Sequence, residues 1–182
     1  VNDCWGYSAP HGTELGIYGW REGTSFVDAT DPQNAVEIFQ LPGPTSTWRD
    51  MHSYQNYVYI VTEGTGPGTG MQIVDVADPL NPVHIGTYTG NGFTTAHNMW
   101  IDRDAAIAYM CGGAGGGTYI VSLADPEHPV HLDYFGPYYI HDLWVGDGRA
   151  TAGAISSGSL RIIDVSNPSN PVTLASHFYS GA

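Results

Sequence analysis

One eleven-residue pattern is written four times along this chain, and that repetition restricts the fold before any motif is considered. The copies are residues 26–36, 73–83, 120–130 and 162–172, the second reading Ile-Val-Asp-Val-Ala-Asp-Pro-Leu-Asn-Pro-Val. Their third residues are Asp28, Asp75, Ser122 and Asp164, giving spacings of 47, 47 and 42 residues. A regular period of this length marks stacked supersecondary units, because one such unit cannot bury its own apolar faces. Each copy opens with a β-branched or aromatic run that suits a buried strand. Asp31, Asp78, Asp125 or Asn167 then precedes a proline. The ring fixes φ and the Asx side chain bonds the turn backbone, so the chain reverses and re-enters a strand at Val36, Val83, Val130 or Val172.

Extending the alignment outward gives four strands per unit, here A to D. In the third unit they are expected at His97–Asp102, Ala106–Met110, Thr118–Leu123 and Val130–Tyr134. The first unit starts with Asn2–Trp5 and Leu15–Gly19, with Trp20–Thr24 as its B–C loop. The second starts with Arg49–His52 and Tyr57–Thr62, followed by the loop Glu63–Gly70. The fourth starts with His141–Trp144 and Ala150–Ala154. The expected fold is all-β: a β-propeller of four-stranded antiparallel blades, at about 2–41, 48–89, 97–136 and 141–182, forming one domain. A solenoid is the competing repeat architecture, but four antiparallel strands per repeat suit a blade better. Four whole blades, with no strand exchanged between the ends, either close into a small ring or form part of a larger one.

Composition agrees: 24 glycines and 12 prolines imply tight turns, and no helical period is sustained. No run of 18 apolar residues and no basic leader are present, so no membrane insertion is expected; a mature secreted protein would look the same. Eighteen acids face five arginines and no lysine, a net charge of −13 that argues against nucleic acid and anionic lipid as partners. Cys4 and Cys111 are too few for a disulfide scaffold, and a bond between them is left open. The glycine-rich run Gly112–Gly117 lacks the lysine and following helix of a phosphate loop.

The order of motifs resembles a known family. The repeated segment is similar to the LVIVD repeat. Asn2-Asp3-Cys4-Trp5-Gly6, Gly23-Thr24-Ser25-Phe26-Val27-Asp28, Ser46-Thr47-Trp48-Arg49-Asp50, the run 70–75, Ala96-His97-Asn98 and His141-Asp142 together resemble choice-of-anchor B proteins. This resemblance implies a secreted or cell-surface propeller with no established reaction for the family as a class. Members look longer than this chain, with further blades after the fourth.

In a propeller, strand A lines the central channel, so the equivalent pairs Asn2-Asp3, Arg49-Asp50, His97-Asn98 and His141-Asp142 are expected around one axis. Glu63 should point to the same end. Asp3, Arg49, Asp50, Glu63, Asn98 and Asp142 are therefore candidate ligand-binding residues, and His97 and His141 candidate metal ligands. A divalent cation, calcium or a transition metal, is the cofactor such a ring would take. The competing reading is a network of hydrogen bonds that fixes the blades without a ligand. Trp5, Trp100 and Trp144 occupy one repeat position, with His52 in the fourth, and are expected to pack between blades. Trp20 and Trp48 sit in loops and are candidates for stacking on carbohydrate.

Three functions compete. The first is a non-catalytic module that binds a protein, glycan or ion through its loops. The second is a metal-dependent hydrolase or lyase centred on the channel. The third is an assembly module that self-associates through its blade faces to complete a ring.

Overall fold

The structure, a computed structural model, describes residues 2–136 and 138–180; Gly181 and Ala182 of the expected fourth blade lie outside the described residues. Sixteen strands form four antiparallel sheets, each ordered as in sequence. Blade 1 holds β1 (Cys4–Ser8), β2 (Glu14–Trp20), β3 (Gly23–Asp28) and β4 (Val36–Pro42). Blade 2 holds β5 (Arg49–Tyr54), β6 (Tyr57–Thr62), β7 (Met71–Asp75) and β8 (Val83–Tyr88). Blade 3 holds β9 (Asn98–Asp102), β10 (Ile107–Cys111), β11 (Thr118–Ser122) and β12 (Val130–Phe135). Blade 4 holds β13 (Asp142–Gly146), β14 (Arg149–Ala154), β15 (Ser159–Asp164) and β16 (Val172–Phe178). Among the described residues no helix is long and apolar enough to cross a membrane.

The strands fall within a few residues of the expected limits, with one substantive difference. Residues 20–24 are not a loop: Trp20 ends β2 and Gly23 begins β3, leaving a two-residue turn at Arg21 and Glu22. Thr24 and Ser25 hid the strand by being polar, yet both are buried in the sheet. Cys4 and Cys111 are both free; Cys4 is exposed and Cys111 buried.

The repeated segment does the same work four times. Asp28, Asp75 and Asp164 accept the N–H two residues on, at 2.8–3.0 Å, and Ser122 does so through its hydroxyl at 3.2 Å. At the tip, Asp31, Asp78, Asp125 and Asn167 each accept a second N–H two residues on, at 3.0–3.2 Å. In blade 2, Asn81 Nδ2 donates to Asp78 at 2.9 Å, and in blade 3 the His128 ring nitrogen takes that place at 3.3 Å. These side-chain bonds pre-form the reversal between strands C and D.

Blades are held together by their faces. One core joins blades 1 and 2 through Trp5, Ile17 and Phe26 against Met51, Ile60 and Val74. A second sets Tyr59, Met71 and Ile73 against Met99, Ala108 and Val121. The third sets Tyr109 and Ile120 against Leu143, Ala152 and Ile163. Packing between blades runs from β1 and β2 to β5, from β5 and β6 to β9, and from β9 to β13; among the described residues no packing of comparable extent joins blade 4 to blade 1. The far face of blade 4 is open, with Trp144 50% exposed and Leu160 39% exposed, and β16 is exposed along its length.

Two outcomes are expected. Asp75→Ala removes an acceptor for both Ala77 N–H and Asn56 Nδ2, and should cost roughly 0.5–2 kcal/mol in denaturant unfolding, the range for lost side-chain caps. Because a bare apolar face is an association site, the 182-residue chain should elute larger than a monomer in light-scattering chromatography. Trp144→Glu should shift it toward monomer.

Candidate functional site

Strand alternation divides the strand-A starts into two sets rather than one ring. Residues two apart share a face of the sheet, so Arg49, His97 and His141 lean toward the preceding blade, while Asp3, Asp50, Asn98 and Asp142 turn to the axis. The axial set lines a cavity of about 470 Å³ together with His52, Trp100 and Trp144. Asp3, Asp50 and Asp142 each accept the N–H of the following residue at 2.7 Å. Asp50 alone also reaches across a blade boundary, where its other oxygen accepts the N–H of Met99 at 2.7 Å.

Arg49 departs from the expected ring. Its side chain is 1% exposed and runs into the interface with blade 1, donating from Nη2 to Pro44 O at 2.7 Å and from Nε to Trp20 O at 3.4 Å. Burial lowers its pKa, and Nη1 finds no partner among the described residues. Arg49 still borders a smaller cavity of about 130 Å³, shared with Asn2, Asp3, Trp48, Asp50, His97 and Asn98.

His97 and His141 come together above this level. Glu63 Oε1 lies 2.8 Å from His97 Nδ1, and His97 Nε2 lies 2.9 Å from His141 Nε2. A carboxylate and two imidazoles thus form one chain that links the end of strand B in blade 2 to strand A of blades 3 and 4. Trp48 covers the His97 ring at a centroid distance of 5.3 Å while remaining 52% exposed. Ser46 holds it there: its hydroxyl donates to Trp48 O at 2.8 Å and accepts Trp48 N–H at 3.0 Å. Trp20 is half-buried, with its indole N–H buried and without a partner among the described residues.

Two contributors were not singled out from the sequence. Tyr139 stands 6.3 Å from His97 and 6.4 Å from His141 by ring centroids, and burial followed by the Glu63 charge raises its phenol pKa. The available signal was its place two residues before His141, where Thr47 and Thr95 stand in blades 2 and 3. Gly112 is the second, with φ of +71°; a Cβ there would lie 2.7 Å from the His97 Cβ and 2.8 Å from Ile140 O. The glycine-rich loop is therefore close packing against the histidine pair.

Below the cavity, aromatic rings run from blade to blade. Trp5 and His52 centroids are 4.2 Å apart, His52 and Trp100 5.6 Å, and Trp100 and Trp144 6.3 Å. Trp5 Nε1 donates to Ser53 Oγ at 2.9 Å, and Trp100 Nε1 to Val145 O at 2.8 Å. Apart from the exposed Trp144, this repeat position serves packing between blades.

The comparisons with known proteins follow this geometry. The LVIVD repeat model matches residues 49–90 and 154–177, which are blade 2 and the C–D half of blade 4. The chain thus carries matches to the LVIVD repeat in two of its four blades. Blades 1 and 3 carry the diverged copies, with Ala35 for the second proline and with Ser122 for the leading aspartate. A search of curated protein sequences finds no match. Among solved structures, a chain in the crystal structure of a nidogen/laminin complex aligns with a TM-score of 0.59 at 10% identity, over 93% of the propeller chain. The propeller chain spans 60% of that chain's length. At this identity the likeness carries the fold alone.

Two titrations at the axial cavity oppose each other. Burial, the largest cause, pushes the Asp50 carboxyl up from 3.8 to about 7, with the Asp3 charge adding to it. The folded state then holds an extra proton between those values, so this group's contribution to stability falls as pH rises through that window. Burial pushes His52 down from 6.5 to about 4. Here the unfolded state holds the extra proton, so stability rises with pH over that window. His52→Phe keeps a ring between Trp5 and Trp100 and should leave a melting temperature that falls from pH 4 to pH 7. Asp50→Asn should leave one that rises over pH 4 to 6.5.

Proposed function

We propose that this propeller is a non-catalytic binding module displayed outside the cell, engaging a protein partner through the face built by its D–A and B–C loops. The observation that carries this reading is Trp48, 52% exposed, with its backbone fixed by two hydrogen bonds to Ser46 and its ring set against His97. A large aromatic held rigid in solvent offers contact area at little entropic cost. Asp3 and Asp142 are exposed at the axial cavity and Glu63 half-buried above it, so the face complements a basic, aromatic-tolerant segment. The net charge of −13 favours the same partner chemistry.

The structural neighbour belongs to a complex of two proteins, which is consistent with a propeller face that docks protein. The outside location rests on the resemblance of the motif order to choice-of-anchor B proteins. Cys111, the nucleophile nearest the site, has its thiol pushed far up by burial, which supports a binding role over covalent chemistry.

Arrays of immobilised basic peptides, acidic peptides and glycans test the reading. The chain should be captured by basic peptides at low salt, and Trp48→Ala should bind at least about tenfold more weakly with its melting temperature unchanged. Capture by glycans alone, or capture indifferent to Trp48, would sink it.

A further inference from the structure

The histidine pair has a feature that blade packing does not require. Glu63 Oε1 sits 2.8 Å from Nδ1 of His97, which favours the tautomer protonated there and leaves Nε2 as an acceptor beside His141. The opposing atom is again an Nε2, at 2.9 Å. The two Nε2 atoms, with ring centroids 4.3 Å apart, lie close enough for one small cation to bridge them.

From these contacts we infer that His97 and His141 form a binding site for a transition-metal ion of the Zn²⁺ or Cu²⁺ class, with Glu63 as the positioning residue for His97. A tetrahedral ion with nitrogen bonds of about 2.0–2.1 Å separates its two donors by roughly 3.3 Å. The pair needs to open by a few tenths of an ångström to admit it. Two nitrogen donors select borderline metals over calcium or magnesium, which take oxygen. A carboxylate on the far nitrogen of a ligating histidine is the usual outer partner of such a bond. The backbone at Gly112 presses on His97 from one side, since a Cβ there would lie 2.7 Å from the His97 Cβ. Among the described residues no group of three or more His, Cys, Asp or Glu has metal-binding geometry. The site is thus two-coordinate in protein, with the Trp48 and Tyr139 rings 5.3 and 6.3 Å from His97. The inference stands apart from the protein-binding reading, because it uses the imidazole nitrogens and not the exposed indole.

The purified chain is stripped with chelator and titrated separately with Zn²⁺, Cu²⁺ and Ca²⁺, following heat of binding and thermal melting. One equivalent of Zn²⁺ or Cu²⁺ should bind and raise the melting temperature, and Ca²⁺ should do neither. The Cu²⁺ form should show paramagnetic-resonance hyperfine structure from two imidazole nitrogens. His97→Gln and His141→Gln should each abolish that signature, and Glu63→Gln should weaken binding 10- to 100-fold. His84→Ala, on an exposed outer strand, should leave it unchanged. Absence of a one-equivalent site, or a site that survives in the His97→Gln/His141→Gln double variant, overturns the inference and leaves the pair as a hydrogen bond. Circular dichroism of each variant separates lost binding from lost folding.

Discussion

Everything in this molecule depends on flat sheets burying their faces against one another. A single four-stranded sheet has two faces and no core, so no blade is stable alone. Each interface here resolves into its own apolar cluster: Phe26 and Ile60 in the first, Tyr59 and Met110 in the second, Tyr109 and Ile163 in the third. No backbone ladder joins one sheet to the next among the described residues; packing is supplemented by side-chain hydrogen bonds such as Asp50 to Met99 N–H, Trp5 to Ser53 and Trp100 to Val145 O. Polar side chains of different blades gather most closely at the innermost strand starts and the adjoining loops, as with Glu63, His97 and His141.

That gathering explains why residues distant in sequence form one site. Glu63, His97 and His141 come from three separate elements, yet the ends of strands B and A bring them into one hydrogen-bonded chain. It also explains the cost borne by Asp50. This carboxyl is 5% exposed and joins blade 2 to blade 3 by accepting Met99 N–H, a bond that orders the axis while burial raises its pKa.

Most of the fold was legible in the sequence, because turn chemistry and period are local. The Asp-Pro reversals announced where strands C and D begin and end, and alternation within β9 placed Trp100 opposite His97. What the sequence concealed was direction. Position alone put Arg49 in the channel, but its guanidinium runs the other way, to Pro44 and Trp20. Equivalent residues share a backbone site, while side-chain length decides where the functional group ends. Alternation turns Arg49 from the axis on the same face as His97 and His141, and its length carries the guanidinium on to Pro44 and Trp20. Tyr139 escaped notice because it lies in a D–A loop, whose conformation no periodicity reports. Thr24 and Ser25 were misread because a polar strand buried on both sides carries no hydrophobic signal.

The irregularity between strands C and D has its own consequence. Register slips once in every blade, at Phe26/Val27, Ile73/Val74, Ile120/Val121 and Ile162/Ile163. A bulge increases local twist and bends the strand that carries it. Strand D is the outermost of each blade, and it opens with an exposed valine in all four, Val36, Val83, Val130 and Val172. Straight and apolar, such an edge would template pairing with another chain. Twisted by the bulge and preceded by a proline in three of its four copies, each outer edge is a poor template for amyloid-like growth.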